Sequence, residues 1–196
     1  DEIDHRILES ILRERIQDER FIRLINKLLK AGYFDMEHKF QPTKLGNAQG
    51  SCTSPILANI YLDKLDRFME DIIERDTMGK YRKQNPEYAR LRYQLNKAIS
   101  VHDIKEIQRL RKELKSTSAV DNFDPNFRRI HYVRYADDFL VGTISSKAYA
   151  EQLKQELKQF LDEVLHLRSS EEKTVITHAK NEKAHFLGYL INRRFP

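Results

Sequence analysis

The sequence predicts an α+β domain, an antiparallel sheet packed on helices, and three observations carry that expectation. Apolar residues recur at helical spacing through much of the N-terminal third. A β-like run from Arg129 to Thr143 precedes a helical stripe from Ser146 to Leu165, and two late strands, "KTVITH" and "HFLGYLI", are predicted to close the chain. Nowhere does strand alternate regularly with helix as a parallel sheet requires, and no internal repeat is present.

Each element has its own signal. Ile7, Leu8, Ile11 and Leu12 mark a first helix. After Asp18, a good N-cap, the stripe Phe21, Ile22, Leu24, Ile25, Leu28, Leu29 marks a second that Gly32 ends. From Tyr33 to Gly50 the 3.6 period is lost and Pro42, Gly46 and Gly50 punctuate the chain, which predicts short strands or a loop. "TSPILANIYLDKLDRFMEDIIE" restores the period, with Ser54 as N-cap, Pro55 at the first helical position, and Leu57, Tyr61, Leu65, Phe68 and Ile72 on one face. Two further amphipathic helices are expected at about Glu87–Ile99 and Asp103–Lys115, followed by a polar linker, "KSTSAVDNFDPN". In the helix from Ser146, the inward residues are Leu153, Leu157, Phe160, Leu161 and Val164.

Composition narrows the function classes. The 196 residues are 40% hydrophobic and 33% charged, enough for one real core or two small lobes. No run approaches the ~18 apolar residues of a membrane span, and no signal segment opens the chain, so a cytosolic location is expected. The single cysteine, Cys52, excludes an internal disulfide and a multi-cysteine zinc site, and the seven histidines form no His-Glu-x-x-His pattern. Charge is concentrated: Lys80 to Arg134 holds 14 Lys and Arg against 6 Asp and Glu, in a chain of net charge +5. A basic block with interleaved tyrosines, as in "EYARLRYQL", suits single-stranded nucleic acid. Charge alone does not separate that footprint from an ordinary solvated helical surface.

The stretch "HYVRYADDFLVG" holds the chemistry. Aspartate is depleted in strands and enriched in turns, so Ala136, Asp137 and Asp138 are expected at the tip of a hairpin with arms Ile130–Tyr135 and Phe139–Thr143. Rigid carboxylates of this kind suit Mg²⁺, which takes one or two of them and fills its octahedron with water and phosphate oxygens. Beside a nucleic-acid surface they suggest two-metal phosphoryl transfer. Taken alone, an Asp-Asp pair is far more often a solvated turn.

It does not stand alone. "YADD" at Tyr135–Asp138 resembles the motif C tetrapeptide of reverse transcriptases, and "AQGSCTSPILANIYLDKLD" resembles their motif B. "SSEEKT" and "HFLGY" follow in the order and at about the distances of motifs D and E, so the likeness spans about 140 residues. "SPILANIYLDKLD" with "RYADDFLVG" is similar to the reverse transcriptases encoded within group II introns, which also act as maturases. "RKQNPEY", in the basic insertion, resembles the mitochondrial-type lineage. The resemblance implies a palm with part of the fingers of a right-hand polymerase over residues 1–196, carrying a basic helical insertion at 80–128 between motifs B and C.

It also implies roles. Asp137 would be the principal ligand of Mg²⁺ (or Mn²⁺) and Asp138 its less directly engaged neighbour. Tyr135 and Ala136 would line the primer terminus and nascent pair. Gln49 and Gly50 would pack against the templating base and incoming nucleotide. Lys173 would donate a proton to the leaving pyrophosphate. Phe186, Leu187 and Gly188 would form the primer grip, with Phe186 and Leu187 also serving as core strand residues. Arg82, Lys83, Arg90, Arg92, Lys97, Arg109, Arg111 and Lys112 are the candidate RNA contacts of the insertion.

The resemblance further places a third metal-binding aspartate, that of motif A, about six residues before Asp1. A chain starting there is therefore expected to polymerise poorly or not at all, with Asp1 and Asp4 capping the following helix. Thumb and maturase regions are expected beyond Pro196. Ser51 and Ser169 depart from the family pattern, at positions where glycine and an apolar residue are usual. The implied partners are intron and template RNA, a DNA primer and deoxynucleoside triphosphates, in a bacterial cytoplasmic ribonucleoprotein or an organelle. Exposed apolar surface leaves a homodimer open. The competing expectation is a non-catalytic module that binds intron RNA to assist splicing.

Overall fold

The computed structural model describes residues 3–34, 40–41, 53–168 and 174–192. In chain order the elements are helix α1 (His5–Arg13), α2 (Glu19–Lys30), strands β1 (Tyr33–Phe34) and β2 (Phe40–Gln41), α3 (Ser54–Asp76), α4 (Pro86–Ser100), α5 (Ile104–Ser116), β3 (Arg129–Tyr135), β4 (Asp138–Ile144), α6 (Lys147–Glu163), β5 (Ala184–Phe186) and β6 (Tyr189–Ile191). The α+β expectation holds. The described strands pair as three two-stranded ladders, β1 with β2, β3 with β4 and β5 with β6. The chain divides into two compact units, one of residues 1–74, 131–142 and 146–196, the other of 75–130 and 143–145.

The first unit is built on α3. Leu57, Tyr61, Leu65, Met69 and Ile72 are buried along it, each contributing roughly 1.5–3 kcal/mol by leaving water. Met69 takes the inward place expected of Phe68, which is half-buried and stacks instead on Phe160 of α6, ring centroids 4.0 Å apart. The α3 helix already includes Ser54, and the Thr53 carbonyl accepts from the Leu57 amide, so the start lies one residue earlier than predicted. Buried Tyr61 donates its hydroxyl to the Leu165 carbonyl at 2.5 Å, and burial pushes the phenol up to about 12. That bond satisfies a carbonyl just past the α6 terminus, where the helix has no further amide to offer. Tyr149, Leu153, Leu157 and Leu161 form the buried stripe of α6, which Ser146 caps through the Tyr149 amide. The helix ends at Glu163, so Leu165 is buried and Val164, expected inward, is exposed.

At the N-terminal end, Asp4 and Asp18 act as the N-caps of α1 and α2, accepting from the Arg6 and Arg20 amides at 2.8 Å. Asp1 lies outside the described residues. In α2 only Ile22 and Leu29 of the predicted stripe are buried, while Phe21, Leu24 and Leu28 are exposed. Two late predictions fail. Residues 174–178, the described part of "KTVITH", are not a strand, and "HFLGYLI" is not one strand but the β5–β6 hairpin. Its two-residue turn is Leu187-Gly188, both with positive φ (51° and 78°), which is the twist a tight hairpin needs and which glycine supplies.

The second unit contains residues 80–128, the stretch expected as a helical insertion. Asn85 and Asp103 cap α4 and α5, Pro86 opens α4, and Leu91, Ala98 and Leu110 close a small core with Leu95, Ile107 and Leu114. The segment expected as a polar linker is instead half of a paired neck: bridges join Met78 to Arg128 and Gln84 to Val120. Buried Asp124 accepts from the Lys83 amide at 2.8 Å and the Asn126 amide at 3.0 Å, which hold its carboxyl below the usual range. Arg129 donates to the Met78 carbonyl at 2.6 Å and covers the Phe127 ring at 4.2 Å. Gly79 is required there, with φ 70° and a would-be Cβ only 2.4 Å from the Asn126 carbonyl oxygen.

Candidate active site

Strands β3 and β4 are joined by two residues, Ala136 and Asp137, which forces an antiparallel hairpin. Asp138 is thus the first residue of β4 rather than part of the tip. Tyr135, Ala136, Asp137 and Asp138 are all exposed, and among the described residues no donor or cation engages either carboxylate. Ala136 has φ 53°, a left-handed value that costs a non-glycine residue about 1–3 kcal/mol and that persists only where surroundings enforce it.

The enforcement is visible. Along β3 the inward residues are Ile130, Tyr132 and Arg134, while Val133 faces solvent. Arg134, only 11% exposed, donates Nε and Nη2 to the two oxygens of Asp66 on α3 at 2.7 and 2.5 Å. Its Nη1 donates to Asn59 Oδ1 at 3.0 Å and to the Ala136 carbonyl at 2.7 Å. The Tyr132 hydroxyl adds a bond to Asp66 Oδ1 at 2.9 Å. Arg134 first, and Tyr132 with it, hold the Asp66 carboxyl below the usual range; burial, then Asp66, push the Tyr132 phenol up. One guanidinium therefore ties the turn to the helix.

The chain matches the family model described as reverse transcriptase (RNA-dependent DNA polymerase) over residues 1–191. It belongs to the reverse transcriptase family. Its relatives include the COX1/OXI3 intron 1 protein of Saccharomyces cerevisiae, 41% identical over 192 residues covering 98% of this chain and 22% of the relative. The group II intron-encoded protein LtrA of Lactococcus lactis is 34% identical over 201 residues, 99% of this chain and 33% of the relative. The nuclear intron maturase 3, mitochondrial, of Arabidopsis thaliana is 30% identical over 182 residues, 93% of this chain and 21% of the relative. The chain thus spans a third or less of the length of these relatives.

Within this reverse transcriptase chain the predicted site residues divide. Tyr135 to Asp138 share one turn and its flanks. Phe186 ends β5, where it is half-buried, and Leu187 and Gly188 form the turn that follows; Leu187, 41% exposed, is therefore not a core strand residue. Gln49, Gly50 and Lys173 lie outside the described residues. Among the described residues no three acidic, histidine or cysteine side chains gather as a metal cluster. Two adjacent, unengaged carboxylates, one on the turn and one at the start of β4, are nonetheless the hard oxygen donors a divalent ion takes.

The insertion's basic residues also divide. Arg109 is held by Glu106 and Glu113 on its own helix, and Arg82 by Asn122 at 3.1 Å and the Phe127 ring. Lys83 lies beside the Asp124 charge. Arg90, Arg92, Lys97, Arg111 and Lys112 are exposed and meet no acid among the described residues. Tyr93 is 72% exposed amid them, and Phe123, on the neck, is 93% exposed. No described helix is long and apolar enough to cross a membrane. Asp66, Asn59 and Arg134 were not among the sequence candidates. The available signal was Arg134 itself, a charge in step with Ile130 and Tyr132, since an inward charge on a strand needs a partner.

Proposed function

We propose that the protein containing this chain is an RNA-directed DNA polymerase of a group II intron that also binds its intron RNA as a maturase. The observation that carries the reading is the exposed, unengaged Asp137–Asp138 pair, Asp137 ending a braced two-residue turn and Asp138 opening β4, in a chain of the reverse transcriptase family. Reverse transcriptases use divalent metal ions, and Asp137, with Asp138 beside it, would hold Mg²⁺ or Mn²⁺ here. Bound there, the metal supplies activation of the primer 3′-hydroxyl and charge stabilisation at the departing pyrophosphate. Tyr135 and Ala136 would orient the primer terminus, and Gln49 and Gly50 the template base with its incoming deoxynucleotide. Phe186, Leu187 and Gly188 would hold the primer strand from the second turn. Lys173 would give the leaving group its proton.

Arg90, Arg92, Lys97, Arg111 and Lys112 would contact RNA phosphates, with Tyr93 as a stacking surface. The relatives named for group II introns and intron maturation support this part of the reading. The test is Asp137→Ala in the full-length protein. Extension of a DNA primer on an RNA template should vanish while intron RNA is still bound; normal extension would refute the catalytic assignment.

A further inference from the structure

We infer that Arg134, held by Asp66, is a positioning residue that sets the orientation of Asp137. The inference rests on the proposed role of Asp137. Arg134 spends its guanidinium on fixed partners: two bonds to Asp66, one to Asn59 and one to the Ala136 carbonyl. That carbonyl belongs to the peptide plane whose other end is the Asp137 nitrogen. Fixing it fixes the plane from which the Asp137 side chain projects, next to the residue whose φ of 53° requires enforcement. Asp66 and Asn59 both lie on α3, so the reference for the turn is a helix anchored by the fully buried side chains of Tyr61, Leu65, Met69 and Ile72.

The fork geometry matters more than the charge. A lysine keeps the charge but has a single nitrogen, which cannot face Asp66 along two parallel bonds and also reach Asn59 and Ala136. Tyr132 is the internal comparison, since its hydroxyl meets the same carboxylate but does not touch the turn.

The experiment uses full-length protein with Arg134→Lys, Asp66→Asn, Tyr132→Phe and Asp137→Ala. Hydrogen exchange of the 135–138 turn is followed without metal, beside unfolding temperature and single-nucleotide incorporation across a Mg²⁺ titration. Arg134→Lys and Asp66→Asn should speed exchange at the turn and raise the Mg²⁺ needed for half-maximal rate. They should lower the maximal rate by about 10- to 100-fold, as a misplacement of about 1 Å does, with primer-template affinity unchanged. Tyr132→Phe should lower only the unfolding temperature. Wild-type exchange and Mg²⁺ dependence in Arg134→Lys would overturn the inference, as would equal effects of Arg134→Lys and Tyr132→Phe on all three readouts. Should Arg134→Lys not fold, Asp66→Asn decides by the same criteria. An Asp137→Ala protein that still extends primers would instead remove the reading on which the inference rests.

Discussion

The hairpin of β3 and β4 and the helical insertion are both rich in charge, and they use it in opposite ways. At the hairpin the cation is inward and fully committed, with Arg134 bonded to Asp66, Asn59 and Ala136, while the anions Asp137 and Asp138 are left exposed. In the second unit the anion is inward, with Asp124 buried and satisfied by backbone amides, while Arg90, Arg92, Lys97, Arg111 and Lys112 of α4 and α5 are left exposed. A charge committed to structure and a charge left for a ligand are told apart by their partners. The exposed carboxylates suit a metal ion and the exposed cations suit a polyanion.

That contrast can be broken in several ways. The largest effect is expected at the turn. Asp137→Asn should reduce primer extension on the order of 10³-fold, several kcal/mol of lost transition-state stabilisation, and Asp138→Asn clearly less, as single-turnover rates would show. The reverse order would make Asp138 the principal ligand. Next, changing Arg90, Arg92 and Lys97 together to Ala should weaken intron RNA binding. It should also flatten the salt dependence by about 2 log units per log of salt, at ~0.7–0.9 per phosphate contact, with the extension rate intact at saturating template. An unchanged slope in filter binding would place the RNA elsewhere.

Smaller effects test the scaffolds. Gly79→Ala should destabilise the neck by about 1–3 kcal/mol, because its φ is positive and the added Cβ meets the Asn126 carbonyl. Chemical denaturation would report it. Smallest is the pH dependence of the brace. Asp66 is held low in the folded protein, so its contribution is present above the unfolded carboxyl range near ~4 and is lost as pH falls through the folded value. Asp66→Asn should therefore cost about 1 kcal/mol at neutral pH and less below pH ~4, read from unfolding at several pH values.

Much of this was legible in the residues. Asp18, Asp103 and Ser146 were readable as caps or helix starts, and the stripes of α3 and α6 mostly follow from their 3.6 period. The hairpin was legible because an Asp-Asp pair between apolar arms has few other places to go. What escaped depends on contacts far apart in sequence. Met69 rather than Phe68 turned inward because Phe68 found Phe160 to stack on, and the segment after α5 formed a neck because Asp124 could bond backbone 41 residues away. The Leu187-Gly188 turn was hidden inside an apolar run, where a lone glycine between strand formers reads as part of one strand. Arg134 looked like one more basic residue beside a basic block; only its inward register gave it away.

The contrast implies a separation of the proposed metal chemistry from the proposed RNA grip, in different regions of this chain. It is tested most directly by measuring, on one preparation of full-length Asp137→Ala protein, both primer extension on an RNA template and affinity for intron RNA. Extension should be lost while the affinity stays within about twofold of the parent, far less than the tenfold that about 1.4 kcal/mol would produce. Retained extension, or a loss of RNA affinity as large as the loss of extension, would contradict it.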